Sequence, residues 1–335
     1  MKVLLISANT ATDPYPVYPL GLSVIMNTLR QAGHDVAVFD FLRHHAVEPL
    51  AAKVAEMQPD LVGISIRNID NTNAAHELRY LDIVGQVVET IRLACKAPVV
   101  LGGCGFSIMP EAILQRVGAD YGIVGEGEAL ILELIKQLES GKPPAEKILH
   151  AGTKLVDAGI AGAAYDSELL QYYVSSEGIT PIQTKRGCDR HCVYCTYPIL
   201  EGHCLRPRDP NAVVDDIEAL MQNHDINQIF FVDSVFNDAD GCYRRLIETM
   251  RTRDICVPWT AFFSPGREVD DDIVALMKET GLESAEIGAD ATTDTTLAAL
   301  RKGFTFADIV AMNDCFRRHE ITTTHSFMFG GPDES

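Results

Sequence analysis

Residues 184–195, TKRGCDRHCVYC, decide how the rest of the chain is read. A short β-favouring run over 182–185 leads into Arg186-Gly187, and Cys188, Cys192 and Cys195 follow within eight residues. Soft thiolates packed this closely suit an iron–sulfur centre or zinc. A closed structural site takes four protein ligands, so three leave one position open for chemistry. Two plainer readings stand beside that one: a zinc site completed by His191 or His203, or three buried thiols. Cys204 is a candidate fourth ligand, ranked below an open site.

Outward from this loop, the pattern towards the C-terminus alternates strands with helices. Strands are expected at 182–185, 228–232, 259–263, 284–287 and 323–329, and helices at 211–223, 243–251, 271–279, 294–300 and 306–318. This is the rhythm of a (β/α) barrel, whose chemistry sits at the carboxyl ends of its strands. Five units are visible before Gly330–Ser335, a strand-to-helix turn with no helix after it, and the expectation is a partial barrel cut from a longer protein. Towards the N-terminus, strands at 3–7, 35–39, 61–66, 98–102 and 121–124 alternate with helices at 20–31, 50–57, 81–94, 110–117 and 129–138. Gly33 stands where a helix stops and Pro110 where one starts. Short strands separated by helices imply βαβ units and a doubly wound parallel sheet, so the chain is α/β. Residues 1–140 form one expected domain and 180–335 the other. The stretch 141–179, with Gly141-Lys142-Pro143-Pro144 and the small residues of 158–164, reads as a linker of partial structure.

Composition agrees with two buried cores: 335 residues, 47% hydrophobic and 22% charged. The formal net charge of -19 argues against binding nucleic acid through its phosphates. The N-terminus has too short an apolar run for a signal peptide, and no stretch approaches a membrane span. Nine cysteines, unevenly placed, do not make a secreted disulfide scaffold. The expectation is a soluble, cytoplasmic protein.

The C-x3-C-x2-C spacing, with an aromatic residue before the last cysteine and the stretches FFVDSVF, EIGAD, LRKGFT and FMFGGPDES after it, resembles the radical S-adenosylmethionine (SAM) superfamily over 180–335. The resemblance implies that Cys188, Cys192 and Cys195 ligate a [4Fe–4S] cluster whose open iron takes SAM. It also implies that Tyr194 lies near the adenine, Asp233 and Ser234 near the methionyl group, and Glu286 and Asp290 near the ribose. Such single acids at strand ends serve equally well as helix caps. Arg206 and Arg208 either hold a carboxylate or neutralise the acidic chain.

A doubly wound sheet binds its ligand beyond the carboxyl ends of its strands. Four segments fall there, at 9–19, 67–73, 102–107 and 125–128. No G-x-G-x-x-G follows the first strand, so a nicotinamide dinucleotide is not expected. The stretches YPLGLSVIMNTLRQAGHDV, PDLVGISIR, PVVLGGCGF and ADYGIVGEGE resemble the cobalamin-binding domain that precedes one branch of radical SAM enzymes. The resemblance implies a corrin held by Asn9, Thr10, Tyr15, Val17, Arg67, Asn68, Asp70, Gly102, Gly103, Cys104, Gly105, Phe106, Glu126 and Gly127. The D-x-H-x-x-G motif that supplies cobalt with histidine is absent, and His34, His44 and His45 do not replace it. Arg67 could stand at the lower face of the metal, where a guanidinium cannot donate, or pair with Asp70. Cys104 is a ligand candidate or an ordinary small side chain.

Together the two resemblances imply a cobalamin-dependent radical SAM enzyme that methylates an unactivated carbon through methylcobalamin and a 5′-deoxyadenosyl radical. The expected partners are a small-molecule or peptide substrate and a flavodoxin- or ferredoxin-type electron donor. Three other readings remain: a non-methylating cyclisation or ring contraction, a methylthiotransferase, and a non-catalytic cobalamin carrier. A methylthiotransferase wants a further cysteine triad, and the N-terminal domain holds only Cys95 and Cys104.

Overall fold

The structure is a computed structural model that describes residues 1–152, 154–156, 159–176, 178–267 and 269–334. Thr153, Asp157, Ala158 and Glu177 of the expected linker, Glu268, and Ser335 of the final turn lie outside the described residues. Two compact units divide the chain, Met1–Leu155 with Ala163–Gly178, and Val156–Gly162 with Ile179–Ser335.

The first unit runs β1 (Lys2–Ser7), α1 (Leu20–Gln31), β2 (Asp35–Asp40), α2 (Phe41–His44), α3 (Glu48–Met57), β3 (Leu61–Ser65), α4 (Tyr80–Ala94) and β4 (Val99–Gly102). It continues through α5 (Cys104–Ile108), α6 (Pro110–Val117), β5 (Tyr121–Val124), α7 (Glu128–Glu139), β6 (Ile148–His150) and α8 (Ser167–Ser175). The six strands form a parallel sheet in the order β2-β1-β3-β4-β5-β6. Both faces are covered, so β1 reads as a continuous apolar run rather than an alternating one. Val3 and Leu5 pack with Leu22, Met26 and Ile135 of α1 and α7, whereas Leu4 and Ile6 pack with Val54, Val87 and Ile113 of α3, α4 and α6. Gly33 has φ 82° just past α1, and Pro110 opens α6, as their residue types predict. Residues 141–179 contribute both β6, which extends the sheet edge beside β5, and α8, whose N-cap Asp166 accepts from the Leu169 N–H.

The second unit runs β7 (Thr180–Ile182), β8 (Lys185–Arg186), α9 (Tyr197–Glu201), β9 (Arg206–Pro207), α10 (Pro210–Asn223), β10 (Ile229–Phe231), α11 (Cys242–Thr252) and β11 (Trp259–Phe263). After these come α12 (Asp271–Glu279), β12 (Leu282–Asp290), α13 (Asp294–Ala299), α14 (Phe306–Arg318) and β13 (Thr322–Phe327). Five parallel strands lie in the order β13-β12-β11-β10-β7, and β8 pairs antiparallel with β9. Trp259, fully buried, packs its ring on Phe231 and Phe236 at centroid distances of 5.2 Å. The first strand ends earlier than the sequence pattern suggests. Thr184 and Lys185 direct their N–H groups to Oδ1 of Asp233 at 2.8 and 3.1 Å instead of to a neighbouring strand. The ladder stops there, and the chain is released into the cysteine loop.

Candidate functional site

In the second unit the cysteine loop leaves β8 through Gly187. With φ 89°, this residue approaches the Cys204 carbonyl so closely that a Cβ would lie 2.0 Å from its oxygen, so only glycine fits. Glu201 of α9 accepts from the Gly187 N–H at 3.0 Å, and the Cys188 N–H bonds the Gly202 carbonyl at 3.1 Å. Burial pushes the Glu201 carboxyl above its usual range, against the pull of the Gly187 N–H and Arg186. Burial also raises the thiols of Cys188 and Cys192.

Every non-cysteine residue of the loop is tied to something. Asp189 pairs with Arg267. The Arg190 guanidinium donates to the carbonyls of Pro265, Lys302 and Gly303, and His191 stacks on His203. The Val193 N–H bonds the Leu300 carbonyl. Tyr194 donates its hydroxyl to Asp290, which also pairs with the Lys302 ammonium. Asp290 reaches this position from an irregularity in β12 and has φ 65°, a way of re-aiming a side chain at a strand end. Burial and the Asp290 carboxylate push the Tyr194 phenol up.

The remaining expected groups divide by their surroundings. Asp233 is wholly engaged inside the unit, by the Thr184 and Lys185 N–H groups, the Thr184 hydroxyl and the Lys185 ammonium at 3.3 Å. No lone-pair direction is left for SAM, so the expectation for Asp233 is corrected to a structural one. Its neighbour Ser234 is the opposite case, since its Oγ is buried with no partner among the described residues. Glu286 is half-buried on β12; burial raises its carboxyl although the Thr324 hydroxyl bonds it. Arg208 pairs with Asp216 at 2.7 Å and Arg206 donates to the Glu201 carbonyl at 2.6 Å, so both brace the fold.

A [4Fe–4S] centre spreads its thiolates over different irons, so they need not converge as the donors of one ion do. Among the described residues no three His, Cys, Asp or Glu side chains are grouped around a single-ion position. Three thiols on one loop, with the Ser234 hydroxyl unclaimed, fit a cluster with an open iron.

In the first unit the loops beyond β1, β3, β4 and β5 meet through backbone. Gly103, with φ 95°, passes so near Ile66 that a Cβ would lie 2.5 Å from its carbonyl oxygen, and the Gly105 N–H bonds that carbonyl at 2.9 Å. Cys104 points its thiol at the Arg67 carbonyl, 3.1 Å away. Ser107 donates to the Gly103 carbonyl and accepts from the Gly125 N–H, both at 2.9 Å, coupling two of the loops. Asn9 is buried; its Oδ1 accepts from the Ala11 N–H, while Nδ2 has no partner among the described residues. Thr10, Tyr15, Val17, Asn68 and Asp70 are partly exposed along the same loops. Arg67 is exposed and donates to Asn68 at 3.3 Å, and Asp70 caps the Thr72 N–H instead of pairing with it. This open cradle with an unclaimed donor fits a large, flat ligand.

Two expectations fail here. Phe106 is fully buried, its ring filling the space where Gly122 lacks a Cβ. Glu126 turns to the 154–155 segment, accepting from the Leu155 N–H at 2.9 Å, with the Lys154 ammonium at 3.9 Å. Sequence reasoning also missed Glu201, Lys302 and Ser107 as placed groups. Lys302 lies in LRKGFT, whose resemblance was visible, but its partners Tyr194 and Asp290 lie outside that stretch, and Glu201 carries no local sign of its bond to the Gly187 N–H.

Residues 6–135 match the B12-binding domain family and residues 182–335 the radical SAM superfamily. The tryptophan 2-C-methyltransferase of Streptomyces laurentii is 26% identical, with 96% of this chain and 66% of that protein covered. The cytidylyl-2-hydroxyethylphosphonate methyltransferase of Streptomyces wedmorensis is 25% identical, with 84% and 63% covered. The chain thus spans somewhat less than two thirds of these two relatives. The solved structure of the radical SAM methyltransferase TsrM from Kitasatospora setae, with tryptophan and a SAM analogue bound, superposes with a TM-score of 0.89 at 26% identity. That likeness covers 99% of this chain and 68% of TsrM. With a B12-binding domain followed by a radical SAM domain, the chain belongs to the cobalamin-binding radical SAM enzymes.

Proposed function

We propose that this chain is a cobalamin-dependent radical SAM methyltransferase that methylates an unactivated carbon of a small-molecule or peptide substrate. The observation that carries the reading is the order of the two domains, in a chain that matches a C-methyltransferase along 96% of its length. The B12-binding domain takes in most of the expected connecting stretch 141–179 through β6 and α8, and the radical SAM domain begins near 180. When bound, the cluster and SAM supply a 5′-deoxyadenosyl radical and cobalamin supplies the methyl group.

The residues of the chain bind and orient. Cys188, Cys192 and Cys195 hold the cluster, and Ser234 offers a hydroxyl to SAM. Asp290 and Lys302 fix the Tyr194 ring beside it, and Glu286 stands at the same strand-end level as a polar contact. Gly102, Gly103, Cys104, Gly105 and Gly127 let backbone approach the corrin, with Asn9, Thr10, Tyr15, Val17, Asn68 and Asp70 around it. Arg67 presents a cation that cannot donate to cobalt. An external one-electron donor of the flavodoxin or ferredoxin type reduces the cluster, and the cytoplasm is the compartment that keeps these thiols reduced. No helix among the described residues is long and apolar enough to cross a membrane.

Anaerobic reconstitution with cobalamin and methyl-deuterated SAM tests the reading. The expected result is label transferred to protein-bound cobalamin, and a product heavier by one labelled methyl group. A product that has lost hydrogen without gaining label would overturn methylation, and retention of neither cofactor would overturn the whole reading.

A further inference from the structure

Of the non-cysteine residues that tie down the loop carrying the three cysteines, Arg190 bonds two other segments at once. Arg190 stands two residues after Cys188 and two before Cys192. Its side chain crosses to two other loops, with Nη2 on the Pro265 carbonyl at 3.1 Å and Nη1 on the carbonyls of Lys302 and Gly303, both at 3.2 Å. The receiving segment is packed into a small core. Leu300 and Phe304 are buried with Ala289, Ala291, Leu297 and Ile309, and the Leu300 carbonyl takes the Val193 N–H of the same cysteine loop. Gly303 is matched to the guanidinium, since a Cβ there would lie 2.8 Å from Nη1.

The acceptors of this fork are neutral. Among the described residues Arg190 pairs with no carboxylate, and its neighbour Asp189 is taken by Arg267. Asp189 and Asp308 act on it through space, but no carboxylate contacts it, so much of its positive charge is left to the cysteines beside it. A guanidinium suits this task because its fixed donor fan can meet several carbonyls at once while staying charged. A lysine would keep the charge and lose the fan.

We propose that Arg190 is a positioning residue for the cluster. It latches the Cys188–Cys195 loop to the 300–303 segment in its ligating shape, and its charge, engaged in no ion pair, favours the reduced, more negative state of the bound centre. The inference rests on the cluster reading given above. Reduction adds one negative charge near a fixed cation in a partly desolvated site, which raises the reduction potential.

The test uses the full chain, reconstituted anaerobically without SAM, as wild type, Arg190→Gln and Arg190→Lys. Three quantities are read: bound iron, the lifetime of the cluster under excess chelator, and the midpoint potential by paramagnetic resonance. Arg190→Gln should lose its cluster about tenfold faster. Its ratio of reduced to oxidised cluster at the wild-type midpoint should fall about tenfold, a shift of about 59 mV to more negative potential. Arg190→Lys should recover the potential but not the lifetime. If Arg190→Gln does not fold, Gly303→Ala displaces the fork with the charge intact, and should shorten the lifetime at unchanged potential. Arg190→Gln with wild-type lifetime and potential would sink the inference, as would Arg190→Lys and Arg190→Gln sharing one potential. A wild-type chain that takes up no iron would sink the cluster reading instead.

Discussion

The two units build their sites from different materials. Beyond the six-stranded sheet of the first unit, the cradle is mostly backbone, with Gly103 and Gly105 against Ile66 and a single hydroxyl, Ser107, coupling the loops. In the second unit, charged side chains taken out of water make the frame: Lys185 with Asp233 and Asp238, Lys302 with Asp290, and Arg190 on three carbonyls. A backbone cradle is sensitive to added volume and indifferent to charge, and the charged frame is the reverse. The difference also suits the two ligands proposed, a broad neutral macrocycle on one side and an anionic cluster on the other.

The largest effect is expected where the frame meets metal. Cys192→Ala should abolish the iron–sulfur absorption and all SAM cleavage, while cobalamin is retained near one equivalent. A variant that keeps four irons and cleaves SAM would remove the basis of the comparison. Next comes Lys185→Met, which leaves Asp233 and Asp238 buried without their cation. Breaking such a pair costs about 3–5 kcal/mol, measured by denaturant unfolding of the second unit's transition. In the first unit, Gly103→Ala should cost about 1–3 kcal/mol in strain and weaken cobalamin retention in proportion, with cluster loading unchanged. Equal loss of both cofactors would break the division between the units.

A pH scan sharpens it further. Burial alone would raise the Asp238 carboxyl, but the Lys185 ammonium and the N–H groups of Cys242 and Tyr243 carry it below the usual value of 3.8. A depressed carboxyl gives its full stabilisation above that ordinary value and loses it as pH falls towards the folded-state one. Asp238→Asn should therefore lower stability at pH 7 and flatten the acid side of the stability curve below about pH 4. The smallest effect on stability belongs to Arg67→Ala, within about 0.5 kcal/mol, because the side chain is exposed and bonds only its neighbour. If Arg67 stands below cobalt, the cob(II)alamin spectrum of that variant changes. An unchanged spectrum in the folded, cobalamin-loaded protein would reject that placement.

The elements with strong patterns were legible from sequence. Helices α1, α6, α12 and α14 span the residues that apolar spacing, with Pro110 for α6, leads one to expect, and the structure adds Asp270 and Thr305 as the caps of α12 and α14. β6 was not legible, because three residues, Ile148–His150, carry no period and become a strand only by finding β5. The same limit applies to the site. The cysteines announce themselves by local spacing. Lys302 does not, since its partner Tyr194 lies 108 residues away in the chain. Asp233 misled for the opposite reason. It stands at a strand end like a binding residue, and only the fold reveals that Thr184 and Lys185 consume it. Phe106 misled because its neighbours in sequence are cradle residues, whereas its ring answers to Gly122 of β5.

The Asp233 clamp has a further consequence, for hydrogen exchange. Thr184 and Lys185 lie just past the end of β7, Lys185 opening the two-residue strand β8, where so short a ladder would ordinarily protect amides little. Here both N–H groups are held by one buried carboxylate oxygen, so their protons can leave only when Asp233 itself is withdrawn from the interior. That requires opening of the second unit rather than fraying of a turn, and it ties two amides outside the five-stranded sheet to its slow-exchanging class. These two residues, just ahead of the cysteine loop, therefore report on the integrity of the whole second unit, and a deuterium label at Thr184 and Lys185 would survive as long as the strands do.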